Sequence, residues 1–262
     1  MTAPTSRMPA IFFGHGSPMN TLEHNRYTDA WRQLGALAGR PRAILAISAH
    51  WYTEGTAVTA MKQPKTIHDF YGFPQALFDV QYRAPGDPDL AARVRDLLAP
   101  VDVTLDHSWG LDHGTWSVLR HAFPQADVPV VQLAIDATQP AALHHTLGVH
   151  LAPLRDEGVL IVGSGNDVHN LRMIGWGGGA PYEWATRFNE YVGDALATRR
   201  YQRLIDYEQA GPDARLAVPT PDHYLPLLYV LGTQREDEAL HVAIDGIEIR
   251  SIGMLSFWLG TQ

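Results

Sequence analysis

The fold class is decided by the stretch Val159-Leu160-Ile161-Val162-Gly163-Ser164-Gly165-Asn166-Asp167-Val168-His169, in which an apolar run leads through small residues to a histidine. Two further runs have the same form, since residues 9–14 lead into His15 and residues 42–49 lead into His50. Buried parallel strands are continuous apolar runs, and the ligands of open α/β sheets bind beyond the carboxyl ends of such strands. The three runs therefore predict an α/β sheet with imidazoles close together at one edge.

The rest of the chain alternates between strand and helix patterns, which is typical of a sheet with helices on both faces. Helices are predicted over residues 28–38, 89–98, 140–157 and 182–199. Two further helices are expected to begin near His113 and near His223. No repeat or linker interrupts the pattern, so residues 1–262 are predicted to form a single domain with a central mixed, largely parallel sheet.

Two segments depart from this alternation. Residues 62–86 are rich in aromatic residues, proline and glycine and show no clear periodicity, which predicts a long ordered loop. Long ordered loops in compact domains are usually functional. Near the end, strands over residues 240–244 and 247–249 flank Asp245-Gly246, a sequence typical of a hairpin turn. The closing strands are expected to add antiparallel edges to the sheet.

The composition excludes several classes of function. A formal net charge of -8 argues against nucleic acid and anionic membranes as partners, because both require a basic surface. The absence of cysteine excludes disulfides and thiolate ligands, so any metal must be held by nitrogen and oxygen atoms. No apolar stretch reaches the roughly 20 residues of a membrane span, and no signal peptide is evident. We therefore expect a soluble, cytoplasmic protein.

The thirteen histidines differ in their surroundings. His15, His50, His169 and His223 stand among glycine, proline, serine or asparagine where elements end, and His113 stands at a helix start. Neutral imidazole is the commonest metal ligand, so these residues are candidates for a shared metal or catalytic site. By contrast, the expected solvated face of the helix over 140–157 carries three histidines: His144, His145 and His150.

Six short segments, in order along nearly the whole chain, resemble the class III extradiol ring-cleavage dioxygenases, in particular the bacterial subgroup similar to 4,5-DOPA dioxygenase. The matching segments are Gly14-His15-Gly16-Ser17-Pro18-Met19-Asn20, Ser48-Ala49-His50-Trp51, Thr66-Ile67-His68-Asp69-Phe70-Tyr71-Gly72-Phe73-Pro74, Gly110-Leu111-Asp112-His113-Gly114, Gly163-Ser164-Gly165-Asn166-Asp167-Val168-His169-Asn170 and Pro221-Asp222-His223-Tyr224-Leu225-Pro226. The resemblance implies an α/β fold with a metal pocket at one end of the sheet. It also implies that a catechol and O2 are the substrates.

The resemblance assigns roles to particular histidines. It implies that His15, His50 and His223 bind the metal, that His169 is the catalytic base or a further ligand, and that His113 handles protons or positions oxygen. Distant relatives use a glutamate as the third ligand, whereas here His223 occupies that position and Asp222 is its neighbour. An all-imidazole set suits Zn2+ at least as well as Fe2+, so one divalent ion of either kind is expected.

The substrate is expected to contact the aromatic loop and the segment after His15. Candidate contacts are His68, Phe70, Tyr71 and Ser17. Two alternatives remain open at this stage, a zinc-dependent hydrolase and a non-catalytic metal-binding protein on the same scaffold. The sequence is also compatible with a homo-oligomer.

Overall fold

An eight-stranded mixed sheet forms the centre of the computed structural model, which describes residues 7–261. The strands are β1 (Ala10–Gly14), β2 (Ala43–Thr53), β3 (Thr56–Thr59), β4 (Val103–Asp106), β5 (Val130–Asp136), β6 (Val159–Gly165), β7 (Ala239–Ile244), β8 (Ile247–Glu248), β9 (Ile252–Gly253) and β10 (Ser256–Gly260). The strand order in the main sheet is β4-β3-β5-β2-β6-β1-β10-β7, while β8 and β9 form a separate pair.

The helices lie on both sides of this sheet. They are α1 (Arg26–Ala38), α2 (Gln75–Phe78), α3 (Pro88–Leu98), α4 (His113–Ala122), α5 (Ala141–Leu151), α6 (Pro153–Asp156), α7 (Glu183–Ala197), α8 (Tyr201–Ile205), α9 (Pro212–Ala217) and α10 (Leu225–Gly232). Short 3-10 helices occur at Pro18–Thr21, Leu171–Met173 and Tyr207–Ala210. Among residues 7–261, no helix combines the length and the apolar character that crossing a membrane requires.

The four central strands, β5, β2, β6 and β1, are parallel, and the outer strands include antiparallel pairs. Alternate residues of a strand face opposite sides of the sheet. In β1, Phe12 belongs to the core shared with α3, α5, α7 and α10, whereas Ile11 and Phe13 pack with α1 and α4. Both faces are covered, which explains the uninterrupted apolar runs. The predicted α/β class with a largely parallel mixed sheet is confirmed, and the assignment of residues 1–262 to one catalytic domain stays a prediction.

Two predictions about the closing and central strands were wrong. β7 does not pair with β8 across Asp245-Gly246; it pairs with β10 at the sheet edge, and β8 pairs with β9. The antiparallel edge itself is present. The second apolar run also does not end before His50, because β2 continues to Thr53 after a register shift in its ladder with β5 between Ile47 and Tyr52. The shift leaves His50 at an irregular point of β2, near the carboxyl ends of the parallel strands.

The long helix predicted over 140–157 is interrupted. Pro153 lacks the N–H that a continuous helix needs, and α5 ends at Leu151 before α6 begins. The solvated face proposed for its histidines is wrong for His144, whose side chain is fully buried. His144 Nδ1 lies 3.0 Å from the Tyr229 hydroxyl of α10. The pair satisfies two polar groups inside the contact between α5 and α10.

Candidate metal centre

Three histidine side chains from distant parts of the chain lie together at the carboxyl edge of the parallel strands. His15 follows β1, His50 lies in the irregular part of β2, and His223 precedes α10 by two residues. One nitrogen from each lies within 4.8 Å of the other two, and the Nε2 atoms of His15 and His50 are 3.4 Å apart. Two nitrogens at 2.0–2.1 Å from one tetrahedral ion would be about 3.3 Å apart, so this donor set fits a single metal ion.

The other ring nitrogen of each of these histidines contacts an oxygen atom, which sets its tautomer. Ser164 donates its hydroxyl proton to the Gly114 carbonyl (2.6 Å) and therefore accepts a hydrogen bond from His15 Nδ1 (3.0 Å). His223 Nδ1 contacts the Asp222 carboxylate. His50 Nδ1 lies 3.2 Å from an Asp69 carboxylate oxygen. With the proton on Nδ1, each Nε2 lone pair is free for a cation, as in metal sites oriented by outer-shell oxygens.

Close backbone packing positions His15 and His223 relative to β6. The His15 N–H donates to the Gly165 carbonyl (3.1 Å), and the Asn166 N–H donates to the His223 carbonyl (2.8 Å). A Cβ atom at Gly165 would collide with the His223 carbonyl, so the small residue permits this approach. The glycines and serine that end the apolar run are thus required by the packing of the two histidines.

Asp69 links two of the pocket histidines. One of its carboxylate oxygens lies 3.2 Å from His50 Nδ1 and 2.9 Å from His113 Nδ1. The other accepts the His113 backbone N–H (2.9 Å), which as the first N–H of α4 has no partner within the helix. Burial alone would raise the pKa of Asp69, but His113 and His50 lower it well below its usual range. Asp69 is therefore an anion between two imidazoles.

The remaining pKa values reflect burial of a crowded group of rings. Burial, together with the other imidazoles, lowers the pKa of His15 and of His223 well below the usual value. Burial and then the charge of His50 lower the pKa of His113 to about 4, against an opposing effect of Asp69. Burial also acts to lower the pKa of His50, but Asp69 and Asp112 outweigh it and the pKa is raised. Apart from His50, these rings favour the neutral form that a metal ligand or base requires.

His169 lies beside the three-histidine cluster rather than within it. Its ring stacks on the His223 ring with centroids 3.4 Å apart and an angle of 5° between the planes. A nitrogen of His169 groups with Asp222 and His223, but not with the nitrogens of His15 and His50. Burial lowers the pKa of His169 to about 4, and the charge of Asp222 opposes this. His169 is thus a neutral imidazole next to the cluster.

A pocket of about 490 Å³ opens over these histidines. Its lining contains all five, namely His15, His50, His113, His169 and His223, together with Asp69. Apolar side chains complete the wall: Phe70, Phe73, Leu171, Ile174, Trp176, Ile249 and Ile252. The volume is typical of a site for one small organic molecule.

The expected substrate contacts divide into two groups. Ser17, Phe70 and Tyr71 line the pocket, and Tyr71 is 91% exposed at its mouth. His68 is not among the described residues that line it; His68 Nε2 lies 2.9 Å from the Val80 carbonyl, and its ring packs on Trp116. The expectation for His68 is therefore not supported by its position.

Sequence reasoning did not identify Asp69, Asp222 and Ser164 as residues that orient the histidines. Asp69 could have been identified from the sequence, because it follows His68 in the aromatic loop that was expected to be functional. Neighbouring residues of an extended segment point in opposite directions, so the pocket could be reached by only one of the two. Asp222 precedes a candidate ligand, and Ser164 is the penultimate residue of β6.

Comparisons with known proteins show which family the chain belongs to. Residues 9–256 match the family described as the catalytic LigB subunit of aromatic ring-opening dioxygenase. The chain is 54% identical to a 4,5-DOPA dioxygenase extradiol of Escherichia coli K12, over 98% of this chain and 96% of the relative. It is 39% identical to a protein of the same name from Beta vulgaris, over 94% and 95% of the two chains.

A solved structure is also similar. The crystal structure of the uncharacterized protein JW3007 from Escherichia coli K12 superposes with a TM-score of 0.86 and is 49% identical. The superposition covers 97% of this chain and 100% of that protein. Dioxygenases of the matching family use a metal ion, and the three-histidine cluster offers a site for one. The chain therefore belongs to the LigB family of aromatic ring-opening dioxygenases and is an extradiol dioxygenase.

Proposed function

We propose that this dioxygenase opens a catechol ring beside its two hydroxyl carbons at a mononuclear site held by His15, His50 and His223. The observation that carries the proposal is the donor geometry, in which one ring nitrogen of each histidine lies within 4.8 Å of the other two and each Nδ1 contacts an oxygen. The substrates are one catechol and O2, and both oxygen atoms enter the product. The apolar wall of the pocket supports binding of an aromatic ring.

Fe2+ is the ion that supports this reaction. Three imidazoles bind Fe2+ or Zn2+, but zinc has no redox chemistry, and ring opening with O2 requires electrons to pass from the catechol to oxygen. When bound, the divalent ion would supply positive charge that lowers the pKa of the catechol hydroxyls. Zn2+ would therefore bind at the site without supporting turnover.

His169 acts as the general base in this proposal, and not as a fourth ligand. Its ring is neutral, lies against His223 and lines the pocket that would receive the catechol. It takes the proton of a catechol hydroxyl on its free ring nitrogen, a step that typically raises the reaction rate 10²–10⁴-fold. His113, whose Nδ1 faces Asp69, also lines the pocket, where it would hold or move a proton beside the substrates.

Two variants test the division between ligand and base. We expect His15→Ala to lose bound metal, because one of three donors is removed. We expect His169→Ala to retain a full equivalent of metal while kcat falls about 10²–10⁴-fold. Metal content by elemental analysis and O2 uptake by electrode on the same samples give both values. Equal loss of metal in the two variants would make His169 a ligand and overturn its role as base.

The substrate and metal are tested together. The protein is stripped with a chelator, reloaded without oxygen with Fe2+ or Zn2+, and mixed with aerated L-DOPA or 4-methylcatechol. We expect O2 uptake and a yellow ring-opened product only with Fe2+. Ester hydrolysis without O2 uptake would instead support the zinc hydrolase, and tight metal binding without either reaction would support the metal-binding protein. DOPA is used because two similar proteins are named for it.

A homo-oligomer in solution and a cytoplasmic location remain predictions of this proposal. Light scattering of the purified protein and fractionation of the source cells measure the two directly.

A further inference from the structure

A second cavity, of about 600 Å³, adjoins the pocket above the histidines. The two share three lining residues, Ser17, Trp176 and Ile249. Ser17 follows the proposed ligand His15 by two residues, so the shared wall begins next to the metal site in the chain. Trp176 is 75% exposed and is not packed into the core. The second cavity is therefore the space into which a substituent on a catechol ring would extend.

The second cavity carries charges of both signs. Its lining includes the carboxylates of Glu23 and Glu248 and the guanidinium of Arg26. Glu23 is exposed, whereas Glu248 is half-buried and directly precedes the shared residue Ile249. Among residues 7–261, the ion pairs of glutamates include neither Glu23 nor Glu248. The two carboxylates thus lack a counter-ion of their own.

The two carboxylates also repel each other. Burial and then the charge of Glu23 raise the pKa of Glu248, against opposing effects of Asn20 and Arg26. Asn25 Nδ2 donates to Glu23 Oε2 (3.4 Å) and to Asn20 Oδ1 (2.8 Å), which holds Glu23 at the cavity wall. A cationic group near both carboxylates would remove the repulsion and favour the charged form of each. The cavity is therefore suited to an ammonium group.

Arg26 supplies the opposite charge in the same cavity. Its guanidinium lies 4.6 Å from the centroid of the Tyr27 ring and donates to the Tyr27 hydroxyl. This hydrogen bond uses one of the five N–H groups of the guanidinium, so the others are available to a ligand. Arginine N–H groups match the geometry of a carboxylate. Arg26 is therefore the partner that the cavity offers to an anionic group.

Arg172 is another arginine close to the pocket. It follows the lining residue Leu171 and is exposed, and its backbone N–H donates to Asn170 Oδ1 (3.1 Å). Arg172 is not among the described residues that line either cavity. A carboxylate inside the second cavity would therefore contact Arg26, and Arg172 is the comparison that tests this assignment.

We propose that the second cavity binds the charged end of the catechol's ring substituent, with Glu248 contacting an ammonium group and Arg26 contacting a carboxylate. The inference rests on the proposed catechol cleavage and deepens it by assigning the residues that recognise the substituent. A substituent that carries both groups, as in an amino acid, makes both contacts.

Four catechols separate the two contacts. L-DOPA carries an ammonium and a carboxylate, dopamine carries the ammonium alone, 3-(3,4-dihydroxyphenyl)propanoate carries the carboxylate alone, and 4-propylcatechol carries neither. For each variant of the Fe2+-loaded enzyme, kcat/KM is divided by the value for 4-propylcatechol. This ratio cancels any loss of folded or metal-loaded protein.

The variant Glu248→Gln tests the ammonium contact. We expect the ratios for dopamine and L-DOPA to fall about tenfold, which corresponds to about 1.4 kcal/mol, and the ratio for the propanoate not to fall. Glu190→Gln is the matched control, because Glu190 is exposed on α7 and lines neither cavity. Ratios in Glu248→Gln equal to those of the control would overturn the role of Glu248.

The variant Arg26→Gln tests the carboxylate contact. We expect the ratios for the propanoate and L-DOPA to fall about tenfold and the ratio for dopamine not to fall. Arg172→Gln makes the same change outside the cavity and should leave all three ratios as they are in the unmodified enzyme. A fall of the propanoate ratio in Arg172→Gln but not in Arg26→Gln would overturn the role of Arg26.

The two proposals fail in different ways. If none of the four catechols supports O2 uptake by the Fe2+-loaded enzyme, catechol cleavage itself is wrong. If all four are cleaved and neither Glu248→Gln nor Arg26→Gln changes the ratios, catechol cleavage stands and recognition of the substituent in the second cavity is wrong.

Discussion

Asp69 provides the sharpest test of how the pocket histidines are oriented, through the variant Asp69→Asn. Its carboxylate faces three N–H groups: His50 Nδ1 at 3.2 Å, His113 Nδ1 at 2.9 Å and the His113 backbone N–H at 2.9 Å. An amide has one oxygen and one NH2 group. If its oxygen accepts the backbone N–H, its NH2 group faces the two ring nitrogens, and a donor meets a donor.

The size of the effect follows from this mismatch. Loss of an outer-shell partner typically lowers metal affinity or activity 10–100-fold, or about 1.4–2.7 kcal/mol in binding free energy. We expect the upper half of this range, because a single substitution disturbs both the proposed ligand His50 and the neighbouring His113. The fold should remain, since the amide oxygen can still accept the first N–H of α4.

The assay is a competition for Fe2+ against a chelator of known affinity, without oxygen, followed by kcat/KM for a catechol at saturating metal. Asp79→Asn is the matched control, because it makes the same chemical change in the same loop, and Asp79 contacts Gln75 rather than the pocket. We expect the control to bind metal as the unmodified protein does. Metal affinity of Asp69→Asn within twofold of the control, with unchanged kcat/KM, would refute the reasoning.

Three further outcomes are expected. In the metal-free protein, burial holds the pKa of His113 at about 4, below the value of about 6.5 in the unfolded chain. The contribution of His113 to the free energy of unfolding is therefore full above pH 6.5 and falls by about 3 kcal/mol as the pH drops towards 4. Urea unfolding at several pH values measures this fall, and a flatter pH profile is expected for His113→Gln. Glu238→Gln should lower the free energy of unfolding by about 3–5 kcal/mol, because it leaves the buried Arg155 guanidinium (2.7 Å away) without its counter-charge; a loss below 1 kcal/mol would contradict this. Gly165→Ala should weaken metal binding, because its methyl group would displace the backbone of the proposed ligand His223. Gly193→Ala is the control and should bind metal normally, since there is open space around its Cβ position.

The fold class and the candidate histidines follow from local patterns in the sequence. The runs over residues 9–14, 42–49 and 159–168 contain β1, most of β2 and β6, because strands covered on both faces need apolar residues at every position. The amphipathic spacing in residues 28–38 likewise agrees with α1. The carboxyl ends of parallel strands share one edge, so histidines just beyond those ends were expected to lie together.

The groups that face the histidine rings and the strands that pair at the edge of the sheet depend on contacts between distant parts of the chain. Asp69 reaches His50 and His113 because the loop after β3 folds back over α4, and no local pattern distinguishes it from His68. The hairpin expected at Asp245-Gly246 is absent, since β7 pairs with β10, which lies beside β1. Turn propensity acts over a few residues, whereas strand pairing and the orientation of a buried carboxylate depend on the free energy of contacts between residues far apart in the chain.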